Sequence, residues 1–275
     1  MSYDLKESSA FDGNPVELYE FRNGNSTWRF TSADETITYL GNDYVPEQVQ
    51  RNETHETQEL NKLTLKVTLP RTNIVATMFQ FYPPTDVTSI TILRLHRDDG
   101  NAIIQWMGRV LNSEYTGVTV ELHCEPITTS VRRLGLRRYY QRQCPHALYG
   151  AQCKVNKDAH KTIANVVSID ALKINVSQTL TVNAFAGGML SWVSFTGIQW
   201  RFITGNSANS ISVNLPFPPD TDVYGRGLPA GTELSVYPGC QHTMTDCISI
   251  FNNLANYGGF PFIPITNPFN LQTLY

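Results

Sequence analysis

Charged residues are scarce in this chain of 275 residues, at 16% of the total, whereas soluble domains usually carry about a quarter. A surface poor in charge and rich in Thr, Asn, Ser, Gln and Tyr suits a protein that buries much of itself against partners. The sequence also lacks any run approaching the roughly 18–20 apolar residues of a membrane-spanning helix. Hydrophobic residues nevertheless make up 41%, which allows a packed core and does not indicate disorder.

The first residues lack the marks of a secreted protein. The stretch from Met1 to Lys6 contains no basic region followed by an apolar segment, which a secretory signal requires. We therefore expect the chain to fold in a cytosol, where thiols stay reduced. In that compartment the five cysteines argue against a disulfide framework.

Signatures of common enzymes are missing as well. The sequence contains no glycine-rich phosphate loop, no nucleophile elbow and no evident Ser, His and Asp arrangement. The carboxylates of Asp98 and Asp99 are adjacent, but the tip of a β-hairpin explains them. The residues therefore offer no positive evidence for enzymatic activity.

The hydrophobic pattern has a period close to 2, with turn residues about every 8–12 positions. This pattern predicts an all-β fold of barrel or sandwich modules, with an N-terminal domain at 1–126 and a C-terminal domain at 127–275. Strands are expected at 16–21, 27–30, 63–69, 90–95, 103–110, 117–122, 164–169, 180–185, 190–195, 200–204, 210–215 and 232–237. Short helices are expected at 74–81 and after a cap at Thr245 and Asp246, and a proline-rich tail follows.

Charge is distributed unevenly along the chain, whose net charge is −3. Residues 1–60 hold 12 acidic and 4 basic side chains, and residues 131–161 hold 8 basic and 1 acidic. Either the two regions make head-to-tail contacts or both are ordinary solvated faces. The basic segment, which includes Tyr139 and Tyr140, suits a subunit interface better than a nucleic-acid groove, because the rest of the chain carries few basic residues.

Four cysteines form two separated pairs, Cys144 with Cys153 and Cys240 with Cys247, while Cys124 lies in a predicted strand and is expected in the core. The spacings are C-x8-C and C-x6-C, with 86 residues between the pairs. Structural zinc usually takes cysteines separated by about two to four residues, whereas wider spacing suits a cluster whose four irons each take one thiolate. Spacing alone leaves open a metal or cluster, buried free thiols, and disulfides.

Other side chains near the cysteines are candidates for a supporting role. His146 and His242 each follow a cysteine by two residues, so either is a possible ligand in place of a thiolate, although a hydrogen-bonding or exposed side chain is the commoner case. Five arginines lie close enough in sequence to offset the charge of a cluster and to donate to sulfur: Arg132, Arg133, Arg137, Arg138 and Arg142.

Two segments around these cysteines resemble a known family. The segment from Leu136 to Cys153 fits the pattern C-x-x-x-L-[YF]-G-x-x-C, and the segment from Gly239 to Pro264 fits GC…C…F-x-N-x-x-N-[FY]-x-G-F-P-x-I-P. Both patterns are typical of phage tail-tip proteins, in the family of the minor tail protein L of lambda-like siphophages and the baseplate hub protein of gene transfer agents. The second segment, from Gly239 to Pro264, is the closing motif of the family. It is long in this chain and in that respect more similar to the gene-transfer-agent type.

The resemblance implies a non-enzymatic virion part of the phage tail tip, assembled in the host cytoplasm. Such proteins form a ring, usually a homotrimer, between the tail tube with its distal tail protein and the central tip protein, close to the tape measure protein. Neither direct nucleic-acid recognition nor a membrane span is implied. The C-terminal domain of the family holds an iron–sulfur cluster, expected to be 4Fe-4S, and its ligands would be Cys144, Cys153, Cys240 and Cys247.

Two alternative functions remain at the tail tip. A cell-wall-degrading enzyme would need a Cys–His dyad or paired carboxylates in a cleft. A host-surface binding module would need exposed aromatic side chains in loops, for which Tyr82, Phe217 and Tyr224 are the candidates.

Overall fold

The computed structural model describes residues 3–9, 11, 13–53, 64–80, 83–97, 100–132, 135, 138–194, 197–217 and 227–264. These residues form β-strands joined by turns and a few short helices, which confirms the all-β fold class. The chain divides into two compact units, Met1–Arg133 and Leu134–Tyr275.

The described part of the first unit contains strands β1 to β9 and helices α1 and α2. The strands are β1 (Pro15–Asn23), β2 (Ser26–Thr31), β3 (Ile37–Tyr39), β4 (Asn42–Pro46), β5 (Gln50–Arg51), β6 (Leu65–Pro70), β7 (Thr88–His96), β8 (Ala102–Thr116) and β9 (Thr119–Pro126). The helices are α1 (Tyr3–Glu7) and α2 (Ile74–Met78), and a 3-10 helix at Ile127–Arg132 follows β9.

These strands join into one sheet in the order β3-β4-β2-β1-β7-β8-β9-β6-β5. β1 and β2 form the hairpin that the sequence predicts, with Asn23 opposite Ser26 and a left-handed Gly24 (φ 53°) in the turn. β7 and β8 form a second predicted hairpin, in which Leu95 pairs with Ala102; residues 98 and 99 of its turn lie outside the described residues. β2 and β4 pair in parallel.

Strand β6 shows how alternation builds the core of this unit. Leu65, Val67 and Leu69 are almost fully buried, while Lys66 between them is exposed. Burying each such side chain contributes about 1.5–3 kcal/mol. Cys124 of β9 lies opposite Leu65, and burial raises the pKa of its thiol to about 12. Cys124 is therefore a core residue, as its position in a predicted strand indicated.

Helix α2 confirms the expected helix after residue 74, but it is shorter than predicted. The side chain of Asn73 caps it by accepting a hydrogen bond from the Val75 amide at 2.9 Å. The helix ends at Met78, and the backbone N–H of Phe79 bonds back to Ala76. Propensity alone does not reveal this early end.

The described part of the second unit contains strands β10 to β15 and helix α3. The strands are β10 (Thr162–Asp170), β11 (Lys173–Val176), β12 (Met189–Ser194), β13 (Gly197–Asn206), β14 (Ser210–Val213) and β15 (Glu233–Tyr237). Helix α3 spans Met244–Ser249, and 3-10 helices lie at Lys157–His160 and Leu254–Asn256.

The six strands close into a barrel in the order β10-β11-β14-β13-β12-β15, and β15 pairs back onto β10. Every pairing within this barrel is antiparallel. Its interior is filled by apolar side chains from all the strands and from the adjoining loops: Ala164, Val166, Ile174, Val176, Leu180, Phe185, Leu190, Trp192, Ile203, Ile211, Val213, Leu228, Leu234 and Val236. Barrel closure leaves no unpaired edge among these strands.

Two local predictions for this unit are wrong, and one strand was missed. The predicted strand 180–185 is instead a turn region at the end of β13, where the Asn183 amide donates to the Asn206 carbonyl at 3.2 Å and the Phe185 amide donates to the Asn206 side chain at 3.0 Å. Strand β11 was not predicted, because four residues are too few to show alternation. Helix α3 is capped by Thr243, whose hydroxyl accepts from the Asp246 amide at 3.1 Å, and not by Thr245.

Candidate metal centre

The two cysteine pairs lie in two segments that flank the barrel strands in sequence. We call residues 138–161 and 238–264 together the cysteine lobe. Cys144 and Cys153 lie in irregular backbone before β10, Cys240 follows the end of β15 by three residues, and Cys247 lies in α3. Little regular structure forms here because prolines, glycines and short polar residues interrupt every apolar pattern.

All four predicted ligands line one small pocket. The pocket is formed by Cys144, Cys153, Cys240 and Cys247 together with His146, Leu148, Val155, His242, Thr243, Phe251, Asn256 and Tyr257. The four thiols are free, and none is joined in a disulfide. Folding thus brings together side chains about 100 positions apart, and disulfides are absent from the pairs in this structure.

Hydrogen bonds from the backbone reach two of the sulfur atoms. The Gly258 amide donates to Cys144 Sγ at 3.3 Å, and the His242 amide donates to Cys240 Sγ at the same distance. Amide donors of this kind stabilise thiolates and tune the properties of a bound metal. Gly258 is required here because a Cβ at that position would overlap the ring of His146.

Burial and mutual repulsion both oppose ionisation of the second pair. Burial raises the pKa of Cys247, and the charges of Cys144, Cys240 and Cys153 raise it further. Burial likewise raises the pKa of Cys240, with added repulsion from Asp246 and from the Cys153 and Cys144 thiols. A bound cation would offset both effects at Cys240 and Cys247, because it favours the thiolate form.

The cysteine sulfurs are not grouped as closely as the ligands of a single zinc ion would be. Sulfurs around one tetrahedral zinc lie about 3.8 Å apart, because each Zn–S bond is about 2.3 Å. Among the described residues, one group of three potential ligand atoms lies within 4.8 Å of one another. It is formed by Glu114, Glu121 and His123 and includes no cysteine. No three of the described cysteine sulfurs lie within that distance of one another, so they are not grouped around a single ion in this structure.

The group formed by Glu114, Glu121 and His123 has a simpler explanation than metal binding. Glu121 pairs with Lys66 at 2.8 Å, and His123 pairs with Glu114 at 3.3 Å on the outer face of the sheet. The Lys66 ammonium lowers the pKa of the Glu121 carboxyl. These contacts are those of a surface ion-pair network.

Direct hydrogen bonds join the two segments of the cysteine lobe. The Cys144 amide donates to the His242 carbonyl at 2.9 Å, and the Tyr149 hydroxyl donates to the Pro238 carbonyl at 2.8 Å. The Tyr257 hydroxyl donates back to the Arg142 carbonyl at 2.7 Å. The segments are thus held against each other by contacts that involve no sulfur.

A small aromatic cluster closes one side of the pocket. Phe251 is buried, with its ring centroid 6.0 Å from that of Tyr149 and 5.2 Å from that of His160, both edge-to-face. Edge-to-face pairs contribute about 0.5–1.5 kcal/mol beyond their burial. Of these rings, that of Phe251 lines the cysteine pocket.

Of the side chains expected to support the cysteines, His146 and Arg138 bond backbone carbonyls close to the pocket. His146 contacts the Asn256 carbonyl through Nδ1 at 3.1 Å, and the part of His242 that reaches a cysteine is its backbone. Arg138 donates to the Gly258 carbonyl at 3.2 Å rather than to sulfur, and Arg142 lines a neighbouring cavity of about 660 Å³. The side chains of Arg132, Arg133 and Arg137 lie outside the described residues.

The aromatic candidates for host-surface binding receive little support. Phe217 is partly buried, and its ring lies 5.4 Å from that of the buried Trp192 and packs against the barrel core. Tyr82 and Tyr224 lie outside the described residues. The exposed aromatic side chains of the lobe are instead Tyr139, Tyr140, Phe260 and Phe262.

Sequence reasoning missed Asn253, which contacts both cysteine pairs. Its side-chain amide donates to the Cys153 carbonyl at 2.6 Å, and its own carbonyl accepts from the Cys247 thiol at 3.2 Å. The available signal was its place in the closing motif, where an asparagine stands two residues after Phe251. Spacing alone gives no reason for an amide at that position.

Comparisons with known proteins agree with this fold. Residues 183–267, which include β12 to β15 and the second cysteine pair, match the family described as "Phage conserved hypothetical protein BR0599". A chain of the solved "Virion of native gene transfer agent (GTA) particle" is similar over 99% of this chain and 97% of its own, with a TM-score of 0.76 and 15% identity. The second likeness shows that the two chains share a fold.

A relative from Xylella fastidiosa (strain 9a5c), described as an uncharacterized protein, is 25% identical over 193 residues. The match covers 65% of this chain and 40% of that relative, so this chain spans less than half of the longer protein. Within the residues that the structure describes, no helix has both the length and the apolar character needed to cross a membrane.

Proposed function

We propose that this protein is a structural component of a phage or gene-transfer-agent virion, located in the tail tip or baseplate. It would form a ring, as a homotrimer, that joins the tail tube and distal tail protein to the central tip protein. The observation that carries the proposal is the pocket lined by all four cysteines, in a chain whose fold matches a gene-transfer-agent virion chain over nearly its whole length. The phage family match over residues 183–267 supports it independently.

The cysteine lobe would hold an iron–sulfur cluster of the 4Fe-4S type through Cys144, Cys153, Cys240 and Cys247. The cluster would supply four strong bonds that join two segments of the chain, and no redox step is required of it. The chain's own groups would orient the thiolates: the Gly258 amide at Cys144 and the His242 amide at Cys240. The role is mechanical, as with structural metals in other small domains.

A structural role also agrees with what surrounds the thiols. A nucleophilic cysteine needs a base within hydrogen-bonding reach, but Nδ1 of His146 is directed at the Asn256 carbonyl. Burial and neighbouring thiols raise the pKa of Cys240 and Cys247, which is opposite to the activation of a nucleophile. These observations favour the structural role over a cell-wall-degrading enzyme.

The cluster is tested by anaerobic purification of the full chain with analysis of iron and acid-labile sulfide. We expect a brown protein with about four irons per chain, as four thiolates on a cubane require, and broad visible absorption. The variant Cys247→Ser should lose most of the iron, whereas Cys124→Ala should retain it because Cys124 lies in the core of the first unit. A colourless protein without iron or zinc would remove the cluster from the proposal.

The place in the virion is tested separately by imaging assembled particles that carry this chain with a small tag. We expect density for the tag in the tail tip, with three copies around the axis. Particles that lack the chain should fail at the junction between the tube and the tip. A tag found on the capsid, or a chain absent from purified particles, would contradict the assignment whatever the iron content.

A further inference from the structure

Asn253 stands out because a single residue contacts a cysteine from each pair. Its side-chain Nδ2 lies 2.6 Å from the Cys153 carbonyl oxygen and 3.9 Å from Cys153 Sγ, across 100 residues of sequence. Its backbone amide donates to the Cys247 carbonyl at 2.8 Å, and its carbonyl accepts from Cys247 Sγ at 3.2 Å. His242 also bonds a cysteine of each pair through its backbone amide and carbonyl, whereas Asn253 uses its side chain as well as its backbone.

The orientation of this amide is fixed by its neighbours. Asn256 Nδ2 donates to Asn253 Oδ1 at 2.7 Å, so the oxygen faces Asn256 and the NH2 group faces Cys153. The Asn256 carbonyl in turn contacts His146 Nδ1 at 3.1 Å. A chain of hydrogen bonds therefore runs from the first cysteine segment, through two asparagines, and back to the first segment at Cys153.

We infer that Asn253 is the positioning residue of the four-cysteine site, which sets the placement of Cys153 relative to Cys247 before any metal is bound. Cys153 lies in irregular backbone without a strand or helix to hold it. The Asn253 amide takes the place of such an element, because it donates to the backbone of that residue. Its role toward a cluster rests on the proposed function, but its action on the thiols is a property of the metal-free chain.

The test compares Asn253→Asp with Asn252→Asp in the full-length protein. Asn253→Asp keeps the size of the side chain but replaces the NH2 donor by a carboxylate oxygen, which repels the Cys153 carbonyl. Asn252→Asp introduces the same charge one residue away at an exposed position, and aspartate tolerates the left-handed backbone there (φ 46°). The pair therefore separates loss of the donor from a general effect of charge.

The first measurement is the rate of alkylation of each cysteine in metal-free protein, resolved by mass spectrometry. We expect Asn253→Asp to raise the rate at Cys153 about tenfold, since loss of about 1.4 kcal/mol of hydrogen bonding to the backbone changes a population tenfold. The rate at Cys240, which Asn253 does not contact, should change by less than about twofold. Asn252→Asp should match the unmodified chain at both sites.

Two results would overturn the inference. Equal rates at Cys153 in all three proteins would show that the amide does not hold this segment. Equal acceleration at Cys153 and Cys240 would show a loosening of the whole lobe rather than positioning of one ligand.

A second measurement addresses the bound state without an activity assay. In protein that contains iron, release of iron to a chelator should be about tenfold faster for Asn253→Asp than for Asn252→Asp, and equal release rates would count against the inference. If the unmodified chain takes up no iron, the proposed cluster fails, while the alkylation experiment still decides the role of Asn253.

Discussion

The barrel and the cysteine lobe belong to the same compact unit but hold their structure in different ways. The barrel buries 14 apolar residues in a continuous core. In the described part of the lobe, the hydrophobic residues that are buried are Cys247 and Phe251. The lobe instead relies on hydrogen bonds between its two segments, such as that from the Cys144 amide to the His242 carbonyl.

This difference indicates that the two parts depend on different interactions. Apolar burial of about 25 cal/mol per Å² stabilises the barrel without any ligand, whereas net hydrogen-bond contributions of about 0.5–1.5 kcal/mol each leave the lobe marginal. A centre that bonds four thiolates would then matter chiefly to the lobe. We therefore expect a substitution in the lobe to leave the structure of the barrel unchanged.

The largest effect is expected in the barrel core. Leu190 of β12 is fully buried, and Leu190→Ala should lower the free energy of unfolding by about 2–5 kcal/mol, because it removes transfer energy and leaves a cavity. Val193 on the same strand is 79% exposed. The control Val193→Ala should therefore change the free energy of unfolding by less than about 0.5 kcal/mol. Thermal or denaturant unfolding followed by tryptophan fluorescence provides the measurement. A small loss for Leu190→Ala would mean that the barrel is not the main source of stability.

A smaller and local effect is expected when one ligand is removed. Cys240→Ser should lose bound metal and make the lobe sensitive to proteases, with cuts confined to 138–161 and 238–264, while the barrel strands resist. Limited proteolysis with mass spectrometry locates the cuts, and chelation of the unmodified protein should reproduce the pattern. Cuts spread equally through β10 to β15 would contradict the separation between barrel and lobe.

The smallest effect is expected from one hydrogen bond within the lobe. Tyr149→Phe keeps the ring beside Phe251 but removes the bond to the Pro238 carbonyl, at a cost of about 1 kcal/mol. Hydrogen exchange of the lobe amides should accelerate about fivefold, and exchange in the barrel should not change. Tyr139 is 72% exposed, so Tyr139→Phe is the matched control and should leave exchange unaffected. Equal acceleration in both variants would exclude the Tyr149 bond as a support.

The strands could be predicted where one face is buried and the other is solvated. Leu65, Val67 and Leu69 alternate with polar residues, and the structure forms β6 there. The stretch 180–185 shows a similar alternation, yet it forms turns, and the side chain of Asn206 at the end of β13 accepts from the Phe185 amide. This bond comes from a residue 21 positions away, and local pattern does not reveal it.

The four cysteines of the candidate site could be predicted from the sequence, but the groups that hydrogen-bond to them could not. Each cysteine stands in a motif, whereas the contacts of Asn253 and Gly258 depend on tertiary approach. Arginine was the expected donor to sulfur because of its charge. Within the described part of the chain, the donors to sulfur are backbone amides, which depend on turn geometry, and the Asn253 side chain at 3.9 Å from Cys153 Sγ.

The junction after β15 has a consequence for how force passes through the molecule. A Cβ on Gly239 would overlap the Ala186 carbonyl, and the Gly239 amide bonds the Ala184 carbonyl at 3.2 Å, so the chain leaves the barrel in direct backbone contact with the 184–188 turn. One residue later comes Cys240. No flexible linker separates β15 from Cys240. A pulling force applied along β15 would therefore reach the thiol directly through the peptide bonds and this backbone contact.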